Sequence, residues 1–395
     1  MIRGRRIALA FAAILLIVVK VYAEENLPFS SAYDVAWSQD GTLLAVGTSE
    51  GLLFYHPVTH MSELLRDVRG GANLVWSADG SQLLSGLTIV NRETKQVESL
   101  HISGGRVFGW SEDGEYLVAV IHDSQDIGIL DAHTLQLIET IVIDRGEITS
   151  VSWSPDETRF AVTIPNGSVL IVSNSANPTI IEYPQDPTAI RVSWSPLGDM
   201  LAIGTVAHKV WIWDAKKQEI IHTFDGQGAN RFDWSPDGGL LAASNLDGTL
   251  TVWDIETGTV VDSLQTFGYL NDAAFSPYGG MLAVATDITN ALLYRPTPTS
   301  QAHDVRNAAR WNQTLGTDGA VQIIVPAPSL ERLRRLTERC GMTTSVEGQV
   351  LAQAETSHLP AFIQQVESLS NDQIPPGCKA DLIAVAQALQ AQGEE

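Results

Sequence analysis

One short phrase returns seven times along the chain, and any fold proposed for it must accommodate that repetition. The copies are Trp37-Ser38-Gln39-Asp40-Gly41, Trp76-Ser77-Ala78-Asp79-Gly80, Trp110-Ser111-Glu112-Asp113-Gly114, Trp153-Ser154-Pro155-Asp156, Trp194-Ser195-Pro196-Leu197-Gly198, Trp234-Ser235-Pro236-Asp237-Gly238 and Phe275-Ser276-Pro277-Tyr278-Gly279. Their aromatic positions lie 39, 34, 43, 41, 40 and 41 residues apart. A fixed period of this size marks a supersecondary unit that cannot bury its apolar face alone and stacks against copies of itself.

Each unit reads as four strands. In the sixth, Trp234 ends a strand and Pro236-Asp237-Gly238 supplies a tight turn, with proline fixing φ and glycine free to take positive φ. Leu240 to Ala243 forms a second strand, Asp247-Gly248 turns the chain into Thr249 to Asp254, and Thr259 to Leu264 makes a fourth, outer strand. The apolar runs are unbroken, as expected of strands covered on both faces by neighbouring sheets. The predicted class is all-β, a seven-bladed β-propeller, with a small C-terminal α-helical domain appended.

The phrase, its period and the endings Trp213-Asp214 and Trp253-Asp254 resemble the WD-repeat propeller family over residues 30 to about 297. The resemblance implies a rigid, non-enzymatic interaction platform. In the family's fullest repeats a Gly-His pair, a Ser or Thr, an Asp and a Trp share a structural hydrogen-bond network. The sixth repeat keeps Ser244, Asp247 and Trp253 for that role but has Gln227 after Gly226, and most other repeats lack the terminal Trp-Asp. Family members often complete the last blade with a strand from the opposite terminus. Here either the stretch after Glu25 or Val321 to Val325 is suited to that, and Trp311 to Val325, with Asp318-Gly319, also resembles a shrunken eighth repeat.

Outside the repeats the chain changes character. Arg3, Arg5 and Arg6 precede an apolar run of thirteen, Ile7 to Val19, and Val21-Tyr22-Ala23 offers small residues where a signal peptidase reads. Residues 1–23 are therefore expected to be a secretory signal; a retained membrane anchor and a buried helix are the alternatives, the run being short of the ~20 residues of a full span. Export to a periplasmic, cell-surface or extracellular site follows. The propeller is expected over 24–298 and a linker or closing strand over 299–327. Helical spacing then marks 328–395: Leu330, Leu333, Leu336 and Cys340 form one stripe, Phe362, Val366 and Leu369 a second, and Leu382, Val385 and Leu389 a third. The chain's two cysteines, Cys340 and Cys378, fall there. A disulfide would offset the small core of such a unit, with two buried thiols as the alternative. Arg332, Arg335 and Arg339 make a basic stripe that either docks an acidic surface, perhaps the propeller's own, or is solvated beside Glu331 and Glu338.

Chemistry finds little support. Net charge is −22, and the signal holds four cations (Arg3, Arg5, Arg6, Lys20) and no acid, so its removal takes the charge to −26. Nucleic acid is excluded as a partner, and contact with membrane is expected only through an uncleaved signal anchor. Gly47-Thr48-Ser49-Glu50-Gly51 matches a hydrolase nucleophile pattern, but strand follows strand there, where the nucleophile needs a helix. Asp123 and Asp126 could hold calcium but read more simply as solvated. No catalytic residue, metal or cofactor is expected.

Binding is expected where the innermost strands begin. Two residues before each aromatic stand Val35, Leu74, Phe108, Val151, Val192, Phe232 and Ala273, all apolar. Three before it stand Asp34, Asn73, Val107, Ser150, Arg191, Arg231 and Asp272. Asp34, Asn73, Arg191, Arg231 and Asp272 of this polar ring are the candidate contacts to a protein partner or to a small anionic or sugar-like ligand. Arg191 and Arg231 could together hold a carboxylate, or could pair with Asp233, Asp272 or backbone carbonyls and line a wet channel.

Overall fold

A computed structural model of the chain describes residues 31–287 except 58, 60, 69–72, 101, 103–105, 112, 122–124, 144, 165–167, 174–178, 182–188, 207–208, 226–230, 246 and 266–268, and beyond them 321–324, 330–340, 342, 350 and 359–393. The expected signal, most of the 299–327 segment, residues 311–320 and 325 of the Trp311 repeat, Asp123 and Gln227 lie outside the described residues.

Six four-stranded antiparallel sheets follow one another in chain order, and a three-stranded sheet follows them. In the first, β1 (Ala32–Trp37), β2 (Leu44–Thr48), β3 (Gly51–Tyr55) and β4 (Ser62–Leu65) lie side by side. The innermost strands of the next five are Leu74–Trp76, Arg106–Trp110, Ser150–Trp153, Ala189–Trp194 and Arg231–Trp234. The strands expected in the sixth repeat appear at Leu240–Ser244, Thr249–Asp254 and Thr259–Gln265. In the last sheet Tyr269–Phe275 pairs with Leu282–Asp287, and Val321–Ile324 adds to it as the third strand. Of the two candidates for completing this sheet, the C-terminal one pairs with it, and the stretch after Glu25 lies outside the described residues as far as residue 30.

The sheets form a propeller because each has two apolar faces to cover. Every residue of β2 and β3 is buried. Apolar clusters fill the space between each sheet and the next: Phe54 with Leu83, Leu84 with Leu117, Val120 with Phe160, Ile171 with Trp194, Ile212 with Trp253, Val252 with Leu282. A further cluster joins Ala283 of the last sheet to Trp37 and Val46 of the first, closing the ring. The repeated aromatic adds a directional link. Trp76 Nε1 donates to Ala36 O at 3.0 Å, Trp110 to Val75 O at 3.2 Å, Trp234 to Ser193 O at 3.2 Å, and across the closure Trp37 donates to Ala274 O at 3.0 Å.

The phrase after five of the seven aromatics builds one small net. Ser38 Oγ donates to Asp40 Oδ1 at 2.6 Å and accepts the Leu43 N–H at 2.9 Å, while Asp40 Oδ1 also accepts the Thr42 N–H at 2.9 Å. Gly41 takes φ +66°, which favours glycine.

Three helices follow: α1 (Leu330–Arg339), α2 (Leu359–Ser368) and α3 (Pro376–Gly393). The third begins at Pro376, six residues before the first member of its stripe, Leu382, since a proline suits the first turn of a helix. Leu333, Leu336, Phe362, Val366, Leu382 and Val385 are buried as the stripes require, and Cys340 is bonded to Cys378 with Cα atoms 5.8 Å apart. The helices share one apolar cluster with the first and last sheets, so they are packed onto the ring. No helix among the described residues is long and apolar enough to cross a membrane.

Candidate functional site

The inner strands surround a cavity of about 620 Å³, and Asp34, Asn73, Arg191, Arg231 and Asp272 all line it. The polar ring expected from the sequence is thus brought together, but its members do different things. Asp34, 2% exposed, accepts the Asn73 N–H at 2.7 Å and the Leu74 N–H at 3.3 Å. Asp272 accepts the Val35 N–H at 3.2 Å, and Ser150 Oγ the Val192 N–H at 3.4 Å. These side chains bond the start of each neighbouring inner strand and fix one sheet against the next. Asn73 sits at φ 67°, a backbone conformation that its short amide tolerates.

The charges are unevenly matched. Arg231 Nη2 lies 3.2 Å from Asp34 Oδ2. Burial, then the nearby Asp272 carboxylate, raises the Asp34 pKa well above the ordinary range despite the opposing pull of Arg231. Arg231 is itself desolvated, yet Asp272 and Asp34 together raise its pKa. Asp233, one residue before its aromatic, also lines the cavity, and its carboxylate accepts the Phe275 N–H. Part of its surface opens on the cavity, but the surrounding protein desolvates it, and with Asp272 nearby its pKa is pushed up to about 8. Arg191 has no side-chain hydrogen bond or ion pair among the described residues. Burial, followed by Arg231 and Arg106, lowers its pKa to about 10, so it remains charged at neutral pH.

The two arginines are placed differently. Arg231 is paired, with Asp34 instead of the expected Asp233 or Asp272; Arg191 is open to the cavity. The reason is geometric: ring neighbours are a sheet apart, and Asp34 comes from the sheet two places on from that of Arg231. Asp233 was expected only as a partner for the arginines and not as a lining residue in its own right, although its column, Ala36, Val75, Gly109, Ser152, Ser193, Asp233 and Ala274, carries a single charge.

Other candidates resolve locally. Gly47 to Gly51 is the hairpin between β2 and β3, so Ser49 sits in a strand-to-strand turn. Asp126 accepts the Ile143 N–H at 3.2 Å. Ser244, Asp247 and Trp253 do not join into one network among the described residues. Ser244 Oγ is buried without a partner there, Asp247 accepts from Thr249, and Trp253 stacks on Phe224 at 4.8 Å. The imidazole that would link them is missing from the sequence, where Gln227 stands.

Residues 192–272 match the family model described as the anaphase-promoting complex subunit 4 WD40 domain. The match spans the fifth and sixth repeats, the two that end in Trp-Asp. Together with the sevenfold phrase and the propeller arrangement of the sheets, the match supports the WD-repeat β-propeller family for this chain.

Proposed function

We propose that the protein is an exported, non-enzymatic interaction platform, a seven-bladed ring in which the three-stranded sheet is the seventh blade, and that it holds an acidic group of a protein partner at the channel mouth. WD40 domains generally mediate protein–protein interaction. The observation that carries the reading to a particular place is Arg191: a desolvated guanidinium in a cavity whose other arginine is already paired. An unpaired cation in a partly dry site gains most from a carboxylate that arrives with a ligand. Export is supported by the basic and apolar leader and by a disulfide of the kind that persists in oxidising compartments. Mass spectrometry of secreted protein should find a chain beginning at Glu24; a retained Met1 would refute cleavage.

The same cation supports a second reading, a free small acid in the channel. Two measurements separate the readings. Capture from an envelope extract with wild type and Arg191→Ala should show a stoichiometric partner lost by about tenfold or more in the variant, on the scale of one charge-assisted hydrogen bond. A thermal-shift screen of small carboxylic acids should move wild type and leave the variant unmoved only if the ligand is small. Arg231 is left intact in both, because its loss would leave Asp34 without its buried partner. A partner retained in full by Arg191→Ala, with no thermal shift, would sink both.

A further inference from the structure

The turn phrase has a rule, and the last sheet breaks it. In five turns the serine two residues before an aspartate donates to it: Ser38 to Asp40, Ser77 to Asp79, Ser111 to Asp113, Ser154 to Asp156 and Ser235 to Asp237, at 2.5–2.7 Å. The same carboxylate then accepts the backbone N–H two residues beyond itself, from Thr42, Ser81, Glu115, Thr158 or Gly239, at 2.9–3.1 Å. In the fifth repeat Leu197 takes the aspartate's place, and Asp199 receives the Ser195 hydroxyl instead, at 2.8 Å. In the seventh repeat Tyr278 takes that place and Gly280 the position of Asp199, so the turn has no carboxylate of its own.

It receives one from the tail. Asp381, in the second turn of α3 and 1% exposed, presents Oδ2 to Ser276 Oγ, 105 residues away, and to the Gly280 N–H at 2.7 Å. These are the two donors that the turn aspartate accepts in five of the other repeats. The approach leaves no room for larger residues: a Cβ at Gly280 would lie 2.6 Å from that of Asp381, and one at Gly377, at the start of α3, only 2.2 Å from the Asp40 carbonyl oxygen in the first turn. Arg339, at the end of α1, donates to Tyr278 O at 3.2 Å and lies 3.6 Å from Asp237 Oδ2 in the sixth.

We propose that the turns of the sixth, seventh and first repeats form a docking surface for an acid-bearing helix, that this chain's own tail occupies it, and that Asp381 is the seventh turn's missing aspartate supplied from a distance. The tail is then a latch across the seam where the ring closes, held in shape by the disulfide between α1 and α3. The basic stripe of α1 contributes through Arg339, which reaches the ring's acidic turn.

Hydrogen exchange on the full-length, disulfide-bonded chain tests this. Asp381→Asn should speed exchange of the Gly280 amide, and of 269–287 and 32–48 around the seam, by about tenfold or more, the difference between a charged and a neutral acceptor. The Thr158 amide, bonded to its own Asp156, should not change. Adding Tyr278→Asp puts a carboxylate back in the turn and should restore protection at Gly280. Unchanged exchange in Asp381→Asn, or a double variant that stays unprotected, overturns the assignment. If Asp381→Asn does not accumulate, the double variant is made directly: its folding supports the latch, and its failure to fold refutes it.

Discussion

Asp156 and Asp199 do the same work from different places in the phrase, and the difference decides what can be read from sequence. Ser154 gives Asp156 a short hydrogen bond; that bond, against a small desolvation and with help from Thr158 and Arg159, lowers the carboxyl to about 2. A lowered carboxyl stabilises the fold above its unfolded value of about 4, and that contribution is lost as pH falls from about 4 to 2. Ser154→Ala should therefore move the Asp156 carboxyl titration, followed by NMR, up toward the ordinary range, and should lessen the loss of stability over that acid window. Such aspartates were legible as turn formers because Pro-Asp-Gly and its variants are local chemistry. Asp381 was not, since nothing within ten residues of it distinguishes it from a solvated helix acid. Nor could the sequence say which of Arg191 and Arg231 would be paired, because the partner, Asp34, is nearly two hundred positions away along the chain.

The strands were legible almost throughout because their apolar runs are continuous and their turns are marked, but the links between sheets were not. Four indoles donate across to the neighbouring sheet, whereas Trp153 Nε1 and Trp194 Nε1 are buried without a partner among the described residues. At the fifth sheet another pair of atoms makes a link, the Trp194 N–H with Ser152 Oγ at 2.9 Å. Replacing tryptophan by phenylalanine removes similar volume at each place, so the difference between sites isolates the hydrogen bond. Trp76→Phe and Trp234→Phe should each cost about 1 kcal/mol more than Trp153→Phe in chemical denaturation. Equal costs would show that the indole bonds add nothing to the ring. The position of the last sheet's third strand was likewise open in the sequence, since a short apolar run such as Val321 to Ile324 has no marker for the sheet it joins.

The whole molecule is a ring and its fastening. The first and last sheets meet through Asp272 on the Val35 N–H, Trp37 on Ala274 O and Asn271 Nδ2 on Ala32 O at 2.8 Å, and the helices cover the turns beneath. The disulfide closes a span of 38 residues within the tail, a constraint worth about 2–4 kcal/mol. Changing both Cys340 and Cys378 to serine should lower stability by that order and should raise hydrogen exchange first around Gly280 and Gly41, with the Ser150–Trp153 sheet the last to respond. A loss spread evenly over all the sheets would mean that the tail does not fasten the seam. The placement of Asp381 also sets a timetable. It is made after every strand of the ring, so a growing polypeptide can assemble sheet upon sheet yet cannot lock the circle until the third helix has followed.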